Sequence, residues 1–89
     1  MRVRSLPVTD ALAVPGEPDL LVMKGEGLIR LGPLGRRIFE AAEEPRTVDQ
    51  LVDDAITAFG AIPRADAEKA VTAAVATMVD AGLAEVLDA

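Results

Sequence analysis

The segment Thr47-Val48-Asp49-Gln50 constrains this chain more than any other stretch of it. A threonine followed three residues later by a glutamine is the pattern of a capping box. The threonine hydroxyl accepts from the glutamine N–H, and the glutamine side chain accepts in return from the threonine N–H. Behind it Val48, Leu51, Val52, Ala55, Ile56 and Phe59 recur at intervals of three and four, which lines up one apolar face of an α-helix, and Gly60 supplies the stop. A helix with such a face must bury it, so the rest of the chain has to provide a core.

Two further helices are expected around it. Gly32-Pro33 opens the earlier one, because proline suits a first helical position. Leu34, Ile38 and Ala41 or Ala42 then recur at helical spacing until Glu43-Glu44-Pro45 ends the element. The later one starts between Pro63 and Asp66 and runs to about Ala81, with Gly82 as its stop and Ala67, Val71, Ala74, Val75 and Met78 as its apolar stripe. Ahead of all three lie short apolar runs, Ala11–Val14, Asp19–Met23 and Leu28–Leu31, separated by Pro15-Gly16-Glu17-Pro18 and Lys24-Gly25-Glu26-Gly27. Runs and links this short predict an antiparallel meander of three strands. Leu83–Leu87 adds a short terminal strand or wing. The expected fold is α+β, winged helix-turn-helix-like: a three-stranded antiparallel sheet followed by three helices. At 89 residues it forms one domain, with residues 1–7 as a flexible N-terminal lead.

Composition removes most chemistry. The chain holds no His, Cys, Tyr, Trp or Asn, and Ser5 is its one serine. A Ser/His or Cys/His nucleophile cannot be assembled, nor a thiolate or imidazole metal site. No catalytic residue, metal or cofactor is expected. Gly25, Gly27 and Gly32 match neither nucleotide-binding fingerprint and read as turn glycines. Glu43-Glu44 and Asp53-Asp54 read as solvated charge. No unbroken apolar run exceeds five residues, which is too short for a membrane span or a signal peptide, so a cytoplasmic location is expected.

At this point the residues resemble those of a known family. Leu31-Gly32-Pro33-Leu34-Gly35-Arg36-Arg37-Ile38-Phe39 is similar to the Leu-Asn-x-x-Gly-x-x-Ile-Trp segment of PqqD-like proteins, the RiPP recognition elements. Pro45-Arg46-Thr47-Val48-Asp49-Gln50-Leu51 resembles their Gly-x-x-Thr-Val-x-Glu-Leu segment. Met78-Val79-Asp80-Ala81-Gly82-Leu83 resembles their closing Leu-x-x-Gly-Leu. Together these motifs span roughly residues 8–87. Gly32 stands where the family has Asn and Phe39 where it has Trp, and the missing Asn implies a weaker strand-to-helix cap. The resemblance implies a non-catalytic domain that binds the leader of a precursor peptide and presents it to a modifying enzyme. In that family the leader adds as a strand to the third β-strand and packs against the third helix. Carried onto this chain, the strand edge is Leu28, Ile29, Arg30 and Leu31. The groove wall is Val71, Ala74, Val75 and Met78, of which Val75 and Met78 carry the most weight.

Plainer readings stand beside these. An edge strand also serves a second copy of the chain, which would give a homodimer, and a helix stripe is usually core. Arg36-Arg37 suits a clamp on leader carboxylates, although a solvated helix face is the commoner use. The rival class is a winged-helix DNA-binding module, or another protein interaction module, since the element order is the same. Charge argues against DNA. Residues 47–89 carry two basic and eight acidic side chains, so the helices that would face phosphates repel them. An acyl-carrier role fails because Ser5 does not sit at a helix start. In an anisotropy titration on mixed-sequence duplex DNA at physiological salt, no binding is expected. Micromolar affinity that falls steeply with added salt would revive the DNA reading.

Overall fold

The structure is a computed structural model that describes residues 1–60 and 62–87. Its elements run β1 (Arg2–Ser5), β2 (Asp10–Ala13), β3 (Leu20–Lys24), β4 (Gly27–Leu31), α1 (Pro33–Ala41), β5 (Arg46–Thr47), α2 (Val48–Phe59), α3 (Arg64–Asp80) and β6 (Ala84–Leu87). The capping box is formed as the spacing requires. Gln50 N–H donates to Thr47 Oγ1 at 3.1 Å, and Thr47 N–H donates to Gln50 Oε1 at 2.9 Å. α1 begins at Gly32 with no side-chain cap, as expected of a glycine in place of Asn. On α2 the face Leu51, Val52 and Ala55 is buried, but Phe59 lies beyond the core and is 47% exposed.

The architecture is α+β, with three helices and two antiparallel sheets among the described residues rather than the one sheet expected. The first sheet has the order β2-β3-β4, the predicted meander. The second has the order β5-β1-β6, with Arg2–Ser5 between Arg46–Thr47 and Ala84–Leu87. Residues 2–5 are therefore not a lead outside the fold. Val3 is fully buried, and Ser5 is fixed twice: its N–H donates to the Ala42 carbonyl at 2.8 Å and its hydroxyl to the Phe39 carbonyl at 2.6 Å. The reason is topological. β1 has one buried apolar residue in an arginine-rich stretch, too little for a local signal, and its partners lie far along the chain.

One core joins the two sheets and three helices. Val3, Val22, Leu31, Ile38, Leu51, Val52, Val71, Met78 and Leu83 belong to it, and no polar residue among those described does. Aliphatic side chains of this kind interdigitate without needing hydrogen-bond partners, which suits a chain with two aromatic residues, Phe39 and Phe59. No described helix is long and apolar enough to cross a membrane.

Deleting residues 1–5 tests the role of β1. Removing Val3 from the core and the middle strand from its sheet should abolish the cooperative thermal transition or lower Tm sharply. An unchanged Tm is what a flexible lead would give.

Candidate functional site

The turn between β3 and β4 sets which backbone groups of β4 are available. Gly25 has φ +60°, and among the described residues no non-glycine residue has a positive φ, so Gly25-Glu26 has the pattern of a type II′ turn with glycine at its first central position. In a two-residue hairpin the flanking pair, here Lys24 and Gly27, is hydrogen-bonded, and bonded and non-bonded pairs then alternate along the ladder. Val22 stands opposite Ile29 and Leu20 opposite Leu31, so these are bonded pairs, whereas Met23–Leu28 and Leu21–Arg30 are not. A separate contact fixes the same phase. The Met23 carbonyl accepts from Thr9 N–H at 2.8 Å, so Met23 turns its polar groups toward β2. Leu28 and Arg30 thus direct N–H and C=O away from β3, and β4 is an edge strand.

The other edge of this sheet, β2, is not equivalent. By the same alternation Ala11 faces outward, but its N–H donates to Asp10 Oδ1 at 2.8 Å. A carboxylate laid over an edge N–H removes the donor an added strand would use. Among the edges of this sheet β4 is the more receptive.

Side chains along β4 alternate as the pleat requires. Ile29 and Leu31 turn inward, half-buried and buried, while Leu28 and Arg30 are exposed. α3 runs alongside. Lys24 Nζ donates to the Gly82 carbonyl, which ties the hairpin tip to the end of α3. At the other end of β4, an apolar cleft of about 330 Å³ opens among Pro33, Leu34, Phe59, Ile62, Ala70 and Val71. Val71, Val75 and Met78 are 0%, 5% and 2% exposed. Val75 and Met78 lie within the core, Val71 reaches the cleft, and Ala74 is half-buried. Sequence reasoning missed Phe59 and Ile62 as cleft residues. Phe59 falls in phase with the α2 stripe, and only its place at the last helical position, next to Gly60, hinted that the core ends before it.

Five of the seven arginines are committed to carboxylates of the chain itself. Arg30 meets Asp19, and Glu17 at 2.7 Å. The hydrogen bond that Arg30 donates to Asp19, and then the charge of Asp19, raise the guanidinium pKa further above its ordinary value. Arg37 grips Asp54 through two bonds of 2.8 and 3.1 Å, and Arg36 meets Glu40 at 2.9 Å. The pair suggested as a clamp on leader carboxylates already holds two of the protein's own. Arg64 lies within ion-pair distance of Asp49, Asp53 and Glu68, so the one arginine of α2 and α3 offers little to a phosphate. Among the described residues no group of three acidic side chains is placed to hold a metal ion.

The model of the family described as Coenzyme PQQ synthesis protein D (PqqD) matches residues 20–84, from the start of β3 to the start of β6. No curated protein and no solved structure matches the chain.

The alternation on β4 separates two neighbouring substitutions. Ile29→Pro removes an N–H bonded to Val22 and should lower Tm markedly or unfold the protein. Arg30→Pro removes an outward N–H and should keep the helical circular dichroism and most of the Tm. Equal damage from both, read by thermal melting, would contradict the assigned phase.

Proposed function

The chain belongs to the PqqD family, and from that premise we propose that it binds the leader segment of a ribosomally made precursor peptide by strand addition along β4 and presents it to a modifying enzyme. Membership associates the chain with biosynthesis of PQQ-type peptide natural products. The finer reading treats the chain as a single non-catalytic, winged-helix-type peptide-binding domain, its meander supplemented by a second sheet.

The observation that carries this reading is the outward pair of amides at Leu28 and Arg30 on an edge strand that ends at an apolar cleft. An extended peptide gains main-chain hydrogen bonds from such an edge, and alternate side chains supply selectivity. Its inward-facing residues would follow Ile29 and Leu31 toward α3, with Ala74 as the accessible part of the wall. A larger apolar side chain at the Pro33 end would enter the cleft beside Phe59 and Ile62. Leu28, 65% exposed, offers contact on the outer face of the sheet. The absence of His and Cys and the neutralised arginines fit a binding role better than a catalytic or nucleic-acid one.

Anisotropy with a fluorescently labelled leader tests the proposal. A dissociation constant of about micromolar or tighter is expected, roughly −8 kcal/mol. Arg30→Pro should weaken it about five- to tenfold or more, since one main-chain bond is worth about 1 kcal/mol net and the ring adds a misfit. A folded Arg30→Pro protein that bound the leader as tightly as the parent would remove β4 as the site.

A further inference from the structure

A second groove lies at the opposite edge of the same sheet. It has a volume of about 540 Å³, an apolar floor that includes Val8, Ala11, Leu20 and Phe39, and Glu40 and Glu43 at its border. It differs from the cleft beside β4 in two respects. No charged residue lines that cleft, whereas this groove carries two carboxylates. And β2, which flanks it, has its Ala11 N–H covered by Asp10, so main-chain pairing there is obstructed. Val8 and Ala11 also precede the stretch that matches the family, residues 20–84.

At this groove Glu40 is paired with Arg36, whereas the charge of Glu43 is uncompensated among the described residues. Arg4, Arg30, Arg36, Arg37 and Arg64 each meet a carboxylate of the chain, but among the described residues Glu43 and the adjacent Glu44 meet no cation. Among the described residues Asp10 engages only the neighbouring N–H. α1 ends at this point with no basic residue in its last turn. Its carbonyls are met by Ser5 and by Arg46, whose Nε donates to Ala41 at 3.1 Å. Hydrogen bonding at the helix end is satisfied while the acidic side chains beyond it are left exposed, near the negative end of the helix dipole. A lysine or arginine whose aliphatic stem lies on Val8, Leu20 and Phe39 would place its charge at Glu43, covering apolar surface and neutralising a carboxylate together.

We propose that this acid-rimmed groove is a second docking surface, which takes a basic, apolar-flanked segment of a partner protein. The groove stands on its own geometry. That the partner is the enzyme receiving the leader rests on the reading of β4 given above. The two sites lie on opposite edges of a three-stranded sheet, separated by two strand spacings of about 4.8 Å each, roughly 10 Å, so both can be filled at once. A presenter needs two non-overlapping surfaces, and the sheet provides them.

A random dodecapeptide display library panned on the full chain supplies the probe. Binders rich in Lys or Arg between apolar residues should be recovered. Their affinity should fall about tenfold or more on Glu43→Lys, which sets like charges together, and on Ala11→Trp, which fills the groove. Asp80→Lys changes the net charge equally at an exposed position on α3 and should leave their affinity within about twofold. Thermal melting confirms that each variant is folded. Failure to recover such binders, or an equal loss on Asp80→Lys, overturns the proposal. Arg30→Pro keeps the two sites apart: it should release leader peptides and retain the basic ones, so the leader reading can fail while this one stands.

Discussion

The phase of hydrogen bonding in the β3–β4 hairpin governs what this protein can offer a partner. Gly25, with φ +60°, permits the tight turn, and that turn pairs Lys24 with Gly27. From there alternation leaves no choice: Ile29 is committed to β3, while Leu28 and Arg30 face out. A side chain at position 25 would strain the turn, because few residues tolerate a left-handed φ. A one-residue slip would exchange the inner and outer faces of β4, sending Ile29 and Leu31 to solvent and Arg30 into the core. Burial of Leu31 to 7% exposure therefore protects the register on which the outward amides depend.

The two edges of this sheet are treated differently by their own side chains. Open edges invite unwanted association, and proteins blunt them with charge. Here Asp10 covers the edge N–H of Ala11, and β4 has no such cover among the described residues. Its charged residue, Arg30, is drawn to Asp19 and Glu17 on the outer face. Protection on one side and exposure on the other give the sheet two unlike edges. Five of the seven arginines are held by a carboxylate of the chain, and among the described residues carboxylates such as Glu43 and Glu44 are left unpaired to express the net charge of −6.

Much of this was legible in the sequence where the signal is local. The capping box at Thr47 and Gln50, the proline that opens α1, the meander and the stripe on α3 each depend on residues a few positions apart. The second sheet was not legible, because Val3 gives no periodicity alone and its partners at residues 46 and 86 are set by tertiary packing. The candidate edge Leu28–Leu31 lies on an edge strand, but which of its amides point outward needed the register. The groove wall was harder to read. Periodicity marks Val71, Val75 and Met78 as one face of α3 without distinguishing residues inside the core from those at its surface. Phe59 shows the converse, a residue in phase with a buried stripe that projects past the end of the core.

Amide hydrogen exchange at β4, followed by NMR with and without saturating leader peptide, tests the central claim most directly. In the free protein Ile29 should exchange slowly, while Leu28 and Arg30 should exchange fast because their N–H groups face solvent. With leader bound, Leu28 and Arg30 should become protected and Ile29 should change little. If the leader binds while Leu28 and Arg30 exchange as fast as before, strand addition at β4 is contradicted.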